Sequence, residues 1–195
     1  MSRLFARLYD WALLPQELTF LRALRRRAAG RASGRVLEIG IGTGLNLPHY
    51  GNAGHIIGMD PHPDMLAQAK ARAQRHGRRL DLVQARAEEL PFASSVFDAV
   101  VGSYVFCTIP EPRQALDEVR RVARPQAPLR LIEHVRWRQP LWGAVQDLLT
   151  PVWERLADGC QLNRDTLSMV RTAGYRVESV RALFGGLILE IEARI

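Results

Sequence analysis

The sequence predicts an α/β fold, with a sheet of mostly parallel strands, one antiparallel strand at its end and helices on both faces. From Val36 onward, short apolar runs alternate with amphipathic stretches, the signature of a parallel sheet covered on both sides. The first run ends in a turn holding Gly40, Gly42 and Gly44, the kind of turn that leads from a buried strand into a helix at the carboxyl edge of such a sheet. The last two strand-like runs are joined by only Phe184, Gly185 and Gly186, a link that permits a hairpin and forbids a parallel crossover.

The strands follow in order. "RVLEIG" from Arg35, "HIIGMD" from His55, "LDLVQA" from Leu80, "FDAVVGS" from Phe97 and "PLRLIEHV" from Pro128 are short aliphatic runs, the composition of strands buried on both faces. Between them, Asp64 to His76 reads as a helix closed by Gly77, and "EPRQALDEVRRVA" as another, with Pro112 at its first position and Leu116, Val119 and Ala123 on one face. Leu141, Val145, Leu148, Leu149, Val152 and Leu156 then recur at helical spacing, and Pro151 is expected to break that run in two. A further helix is expected from an Asn163 cap to Gly174, before the closing hairpin. The first 30 residues read as one or two helices with Pro15 between them.

A chain of 195 residues suits one domain with a full core. The expected division is an N-terminal helical cap at 1–34, a ligand-binding core at 35–135, and substrate-side helices with the final hairpin at 136–195. With 47% apolar and 24% charged residues, no apolar run long enough to span a bilayer and no signal-peptide pattern, a cytoplasmic protein is expected. Cys107 and Cys160 match no metal-ligand spacing, so reduced thiols and no metal site are expected, with Cys107 a small core residue.

The charge of +7 is uneven: residues 1–35 hold eight arginines against Asp10 and Glu17, a net +6. A basic head on a nearly neutral body suits an anionic surface or simply a solvated helix. It does not suit a nucleic-acid partner, since the basic charge is confined to the head and there is no Asn/Asp-Pro-Pro-Tyr stretch of the kind that holds a flipped base.

The glycine turn selects its ligand by what it lacks. A dinucleotide fingerprint counted from Gly40 would need a third glycine at Leu45, and a triphosphate loop would need a lysine that the segment does not have. There remains a ligand without a pyrophosphate, held between Glu38, the turn of Gly40, Ile41, Gly42 and Gly44, and Asp60. This last acid ends the second strand, 20 residues after Gly40, where a carboxylate can accept from both hydroxyls of a ribose.

In these residues the chain resembles the class I S-adenosylmethionine-dependent methyltransferases, whose fold is Rossmann-like. "VLEIGIGTG" is similar to their first motif, "GMDPHPDML" to their ribose-binding strand end, and "ARAEELPFASSVFDAVVGSYVFCTI" to their adenine loop and fourth strand. The resemblance implies S-adenosyl-L-methionine as cofactor, with Pro61 and Met65 flanking Asp60, Ala87 N–H and Glu88 beside the adenine, and Ser103 over the crevice. Two departures are visible: Arg86 stands where family members often carry an acid, and Pro125-Gln126-Ala127 replaces a Pro-Gly-Gly turn.

The methyl acceptor should lie over the ends of the fourth and fifth strands, among Ser103, Tyr104, Cys107, Glu133 and His134. His134 is the expected general base, or else holds a structural hydrogen bond, with Glu133 and Tyr104 beside it. The segment from Glu133 to Thr166 is similar to the alkyl-thiol S-methyltransferases of the endoplasmic reticulum and lipid droplets, in its Glu133-His134-Val135, Trp142, Pro151 to Trp153 and Asp158-Gly159-Cys160. That resemblance implies a small hydrophobic thiol as acceptor, under a lid bearing Trp142 and Trp153 unless these are core residues. A quinol, phenol or phospholipid amine is the enzyme alternative, and a cofactor-binding sensor the non-enzyme one. Where those relatives have a membrane anchor, this chain has Leu4, Phe5, Leu8, Trp11 and Ala12 among arginines, a helix that would cap the site or lie peripherally on a membrane.

Overall fold

The computed structural model describes residues 14–77, 79–157 and 159–195. The apolar positions from Leu4 to Ala12, and Asp158, lie outside the described residues. Residues 14–28 are helical, with a π turn at Glu17–Leu21 followed by α1 at Arg22–Ala28. The remaining elements are β1 (Ser33–Ile39), β2 (Asn52–Asp60), α2 (Pro63–Arg75), β3 (Leu80–Gln84), β4 (Ala99–Ser103), α3 (Pro112–Val122), β5 (Pro128–His134), α4 (Pro140–Leu156), α5 (Thr166–Thr172), β6 (Arg176–Leu183) and β7 (Ile188–Arg194).

The strands form one sheet in the order β3-β2-β1-β4-β5-β7-β6. The pairs β1/β2, β1/β4, β2/β3 and β4/β5 are parallel, and β7 is antiparallel to both β5 and β6. The expected mostly parallel sheet with one antiparallel strand is therefore present, and the antiparallel strand is the last in sequence but sits second from the edge. Chain order reverses at β1, whose connections leave toward β2 on one side and whose other neighbour is β4. That switch point opens a crevice beyond the carboxyl ends of β1 and β4.

Successive side chains on a strand point to opposite faces, so β1 feeds two cores. Leu37 and Ile39 pack with Phe97, Phe106, Leu116, Val119 and Leu129, whereas Val36 packs with Ile56, Ala69, Ala73 and Val101. Leu21, Leu24 and Ala28 carry the N-terminal helix onto Ile132 and Ile188. Helix α3 begins at Pro112 and buries Leu116 and Val119 as expected.

Two expectations are corrected at the C-terminal end. Helix α4 runs through Pro151 without a break, because proline already has a helical φ and removes only one backbone bond, while Gln146 on one side and the Ala157 N–H bond to the Trp153 carbonyl on the other hold the flanking turns. The cap of α5 is Asp165, not Asn163: its carboxylate accepts from Ser168 N at 3.1 Å and from the Ser168 hydroxyl at 2.7 Å, while Asn163 donates to Asp147.

Helix α4 also turns an unusual face inward. Gly143, Gln146 and Thr150 are buried, whereas Leu141, Leu148 and Leu156 are each at least 70% exposed. The cause is Gln146, whose side chain accepts from Trp137 N and donates to the carbonyls of Val135 and Leu162. The helix is thus pinned by a polar residue to a chain crossing beneath it, and its apolar stripe faces outward. Among the described residues, no helix is long and apolar enough to cross a membrane.

Candidate active site

The turn after β1 is held from below. Ile41 N donates to the Met59 carbonyl at 2.9 Å, and the Ile41 side chain fills the space over Gly58, where a Cβ would come within 2.2 Å of its Cδ1. Ile41 is buried and places the turn by packing. Gly40, Gly42 and Gly44 all have positive φ, at 59°, 56° and 81°, a conformation that costs an L side chain roughly 1–2 kcal/mol. The surroundings differ: a Cβ on Gly40 would meet Val105 Cγ2 at 2.3 Å, whereas one on Gly42 would meet nothing closer than 4.0 Å. Gly42 is therefore the point at which a ligand can approach the main chain.

Asp60, at the tip of β2, fastens this turn. One carboxylate oxygen accepts from Gly42 N at 3.1 Å and the other from His62 N at 2.9 Å. A carboxylate has about four acceptor positions, enough for these donors and a ribose diol. Pro61 is exposed beside it, with its carbonyl accepting from Gln84, and Met65 is buried in the first turn of α2. Across the crevice, Ala87 and Glu88 are buried, and Glu88 accepts from Arg86 at 3.3 Å. The arginine that departs from the family pattern thus pairs with the neighbouring acid.

Glu38 lies at the crevice floor, with one oxygen accepting from Asn46 Nδ2 at 2.8 Å and the other from Tyr50 OH at 2.9 Å. Asn46 also contacts Ser103 Oγ at 3.1 Å and accepts from Arg25 at 2.9 Å, and Arg25 is paired with Glu17 at 2.7 Å. Arg25, Glu38, Gly42, Asn46 and Ser103 together line the crevice. Burial pushes Glu38 up to about 7, against smaller opposite effects of its bonds to Tyr50 and Asn46. Because the folded pKa lies above the unfolded 4.5, this stabilising contribution is full below pH 4.5 and is lost as pH rises to about 7. Glu38→Gln should therefore gain stability relative to the parent across that window, by on the order of 3 kcal/mol. Paired melts from pH 4 to 8 check it, since the slope contributed by Glu133 cancels in the difference; a flat difference would show that Glu38 ionises normally.

On the acceptor side, Ser103 ends β4 and Tyr104 follows with a φ of 54°, its ring 5.9 Å from that of His134. Such backbone strain in a non-glycine residue is typical of functional turns. Glu133 is fully buried at the end of β5, and one of its oxygens accepts from Val105 N and Phe106 N, both at 3.1 Å. Burial raises it to about 7. Its role is to hold the loop after β4 in place. His134 projects beyond it, with Nε2 3.1 Å from Cys160 Sγ.

The fold brings together two free cysteines that lie far apart in the sequence. Cys107, His134 and Cys160 present their sulfur and nitrogen atoms within 4.8 Å of one another. A bond from Cys107, together with His134 and Trp153, holds the Cys160 thiol well below its usual value, and the Cys107 thiol is raised. Burial draws His134 down, but the bond and charge of Cys160, with Glu133, carry it above its ordinary value. Trp142 and Trp153 are not core residues, being 48% and 45% exposed; Trp142 stacks on Trp137 at 5.7 Å. Sequence reading did not single out Arg25, Asn46, Tyr50 or Cys160 as site residues. Asn46 and Tyr50 were visible only as polar residues just beyond the glycine turn.

The residues fit S-adenosylmethionine on their own chemistry. Asp60 is an acceptor for a ribose diol, Gly42 leaves open the approach to the main chain, and the polar groups of Arg25, Asn46 and Ser103 line the crevice where an amino-acid end would lie. Residues 37–131 match the family model described as "Methyltransferase domain". The human thiol S-methyltransferase TMT1B is 35% identical over 151 residues, covering 74% of this chain and 62% of that protein. The phosphatidylethanolamine N-methyltransferase of Cereibacter sphaeroides is 36% identical over 115 residues, covering 56% and 57%. The chain thus spans about three fifths of the length of these curated relatives. Among solved structures, a SAM-dependent methyltransferase from Aquifex aeolicus superposes with a TM-score of 0.74 at 19% identity, covering 100% of this chain and 99% of that one. The [4+2]-cyclase SpnF superposes at 0.72 with 19% identity, covering 89% and 79%, so shape alone does not specify the reaction. Residues 37–131 thus form a methyltransferase domain, and S-adenosylmethionine is its cofactor.

Proposed function

We propose that the chain transfers a methyl group from S-adenosylmethionine to a small hydrophobic thiol. The observation that carries the thiol is the contact of His134 Nε2 with Cys160 Sγ at 3.1 Å, with the Cys107 sulfur within 4.8 Å and the Tyr104 ring 5.9 Å from that of His134. The cofactor supplies an electrophilic methyl group on a sulfonium centre. The protein's own part is to align the acceptor, exclude water and take one proton. An environment that draws the Cys160 thiol toward its anion suits an acceptor sulfur equally well, and a thiol near ~8.5 needs less help than a phenol near ~10. The His134–Cys160 pair is placed to take that proton, with the Cys160 sulfur as the accepting atom and His134 holding its charge, while Tyr104 and Trp153 wall the site and Glu133 holds the loop that carries Cys107. The relatives named as thiol S-methyltransferases support the same choice.

A phospholipid amine is the second reading, favoured by the outward apolar face of α4 and the phosphatidylethanolamine-methylating relative. One acceptor panel separates the two: labelled cofactor with an alkyl thiol, the phenol of the same skeleton, and phosphatidylethanolamine vesicles. The thiol is expected to be methylated fastest, and His134→Ala to slow that transfer by about tenfold or more without weakening cofactor binding. Transfer to the vesicles alone would replace the thiol with the lipid, and an unchanged rate in His134→Ala would remove the histidine from proton handling.

A further inference from the structure

The cluster at the end of β5 contains more ligating power than one proton transfer requires. Cys107 lies on the loop after β4, His134 at the end of β5 and Cys160 in the link after α4, so three separate segments bring two sulfurs and an imidazole nitrogen within 4.8 Å of one another. In a tetrahedral zinc site with bonds of ~2.3 Å to sulfur and ~2.0–2.1 Å to nitrogen, neighbouring ligand atoms lie roughly 3.5–3.8 Å apart. The three atoms therefore need to move by no more than about an ångström to share one ion.

Charged groups of both signs face the cluster, since Arg164 acts electrostatically on both thiols and on Glu133. Glu133 is fully buried against this group, and its second oxygen has no hydrogen-bond partner. The supports are rigid: Glu133 accepts from the amides of Val105 and Phe106, immediately before Cys107, and Gln161 N donates to the Cys107 carbonyl at 2.9 Å, tying together the two cysteine segments. Two thiolates and an imidazole select a soft or borderline ion such as Zn²⁺ over Mg²⁺ or Ca²⁺.

We propose that Cys107, His134 and Cys160 form a binding site for a thiophilic divalent cation of the zinc type. Three protein ligands leave the fourth position for water or an exogenous thiol. Coordination displaces the proton of Cys107 and the one that His134 and Cys160 hold between them, and it occupies the His134 nitrogen and the Cys160 sulfur. Zinc and proton transfer by the His134–Cys160 pair are thus mutually exclusive, and the ion inhibits thiol methylation. This last consequence rests on the function proposed above; the site itself does not.

The experiment uses the full chain, reduced under argon and without cofactor, titrated with Zn²⁺ against a chromophoric chelator. One equivalent is expected to bind and to protect Cys160 from alkylation. Loss of one direct ligand should exceed the ten- to hundredfold effect typical of outer-shell changes, so Cys160→Ser should weaken binding by about a hundredfold or more. Because Cys107 is buried and its replacement can disturb folding, the second variant is His134→Ala, and Co²⁺ loading of the parent provides an independent thiolate-to-metal absorption band. Absence of stoichiometric binding in the parent, or undiminished binding in Cys160→Ser, would overturn the site. Bound zinc with unchanged thiol methylation would overturn the competition alone, whereas bound zinc in a chain that methylates no thiol would leave the site standing and remove the acceptor assignment.

Discussion

Gly40→Ala is expected to lower stability by about 2–4 kcal/mol, and Gly42→Ala to lower it by only about 1–2 kcal/mol while weakening cofactor binding. Both positions share a positive φ and so share its strain. They differ in what a methyl group would meet. At Gly40 it would come within 2.3 Å of Val105 Cγ2 and 2.9 Å of Val105 Cβ, and Val105 is itself buried and tied through its amide to Glu133. At Gly42 it would enter the crevice. Melting should fall by roughly 5–15 °C for Gly40→Ala and by roughly 2–8 °C for Gly42→Ala. Calorimetry should then show at least about a tenfold loss of affinity in folded Gly42→Ala; wild-type affinity there would mean that the cofactor does not approach this part of the turn.

Asp60→Ala should weaken S-adenosylmethionine binding by at least tenfold, and by about a hundredfold when both ribose hydroxyls lose their acceptor. The same carboxylate accepts from Gly42 N and His62 N, so the substitution also loosens the turn from β2. Asp60→Asn separates the two effects, because an amide retains one acceptor oxygen but loses the charge. Recovery of most of the affinity in the asparagine variant would assign the loss to the geometry of the turn, and an unchanged affinity in both variants would place the ribose elsewhere.

Much of this arrangement was legible in the sequence because local rules coincide there with the tertiary structure. Buried parallel strands read as aliphatic runs, a three-residue link forces a hairpin, and an acid 20 residues beyond a glycine turn arrives at the neighbouring strand end. Reading failed where a tertiary contact overrode a local preference. Pro151 did not end α4, since the flanking turns are anchored independently of the lost bond. The apolar positions of α4 have helical spacing, but spacing cannot say which face is inward; Gln146 decided that through three backbone partners. Cys107 and Cys160 are separated in sequence by α3, β5 and α4, so no ligand spacing could reveal that they meet at His134. Of the residues around the crevice, the acids and glycines carry a motif, while Arg25 and Asn46 were hidden because their partners lie on other elements.

The path from Glu17 through Arg25 and Asn46 to Glu38 joins the helix before β1 to the floor of the crevice. A coupling free energy between two sites acts equally in both directions. Whatever steadies the arginine-rich helix therefore also preorganises the crevice, and a ligand in the crevice returns the same free energy to the helix. An arginine-rich helix is thus thermodynamically linked to a sheltered carboxyl group, and docking of one end is communicated to the other as affinity.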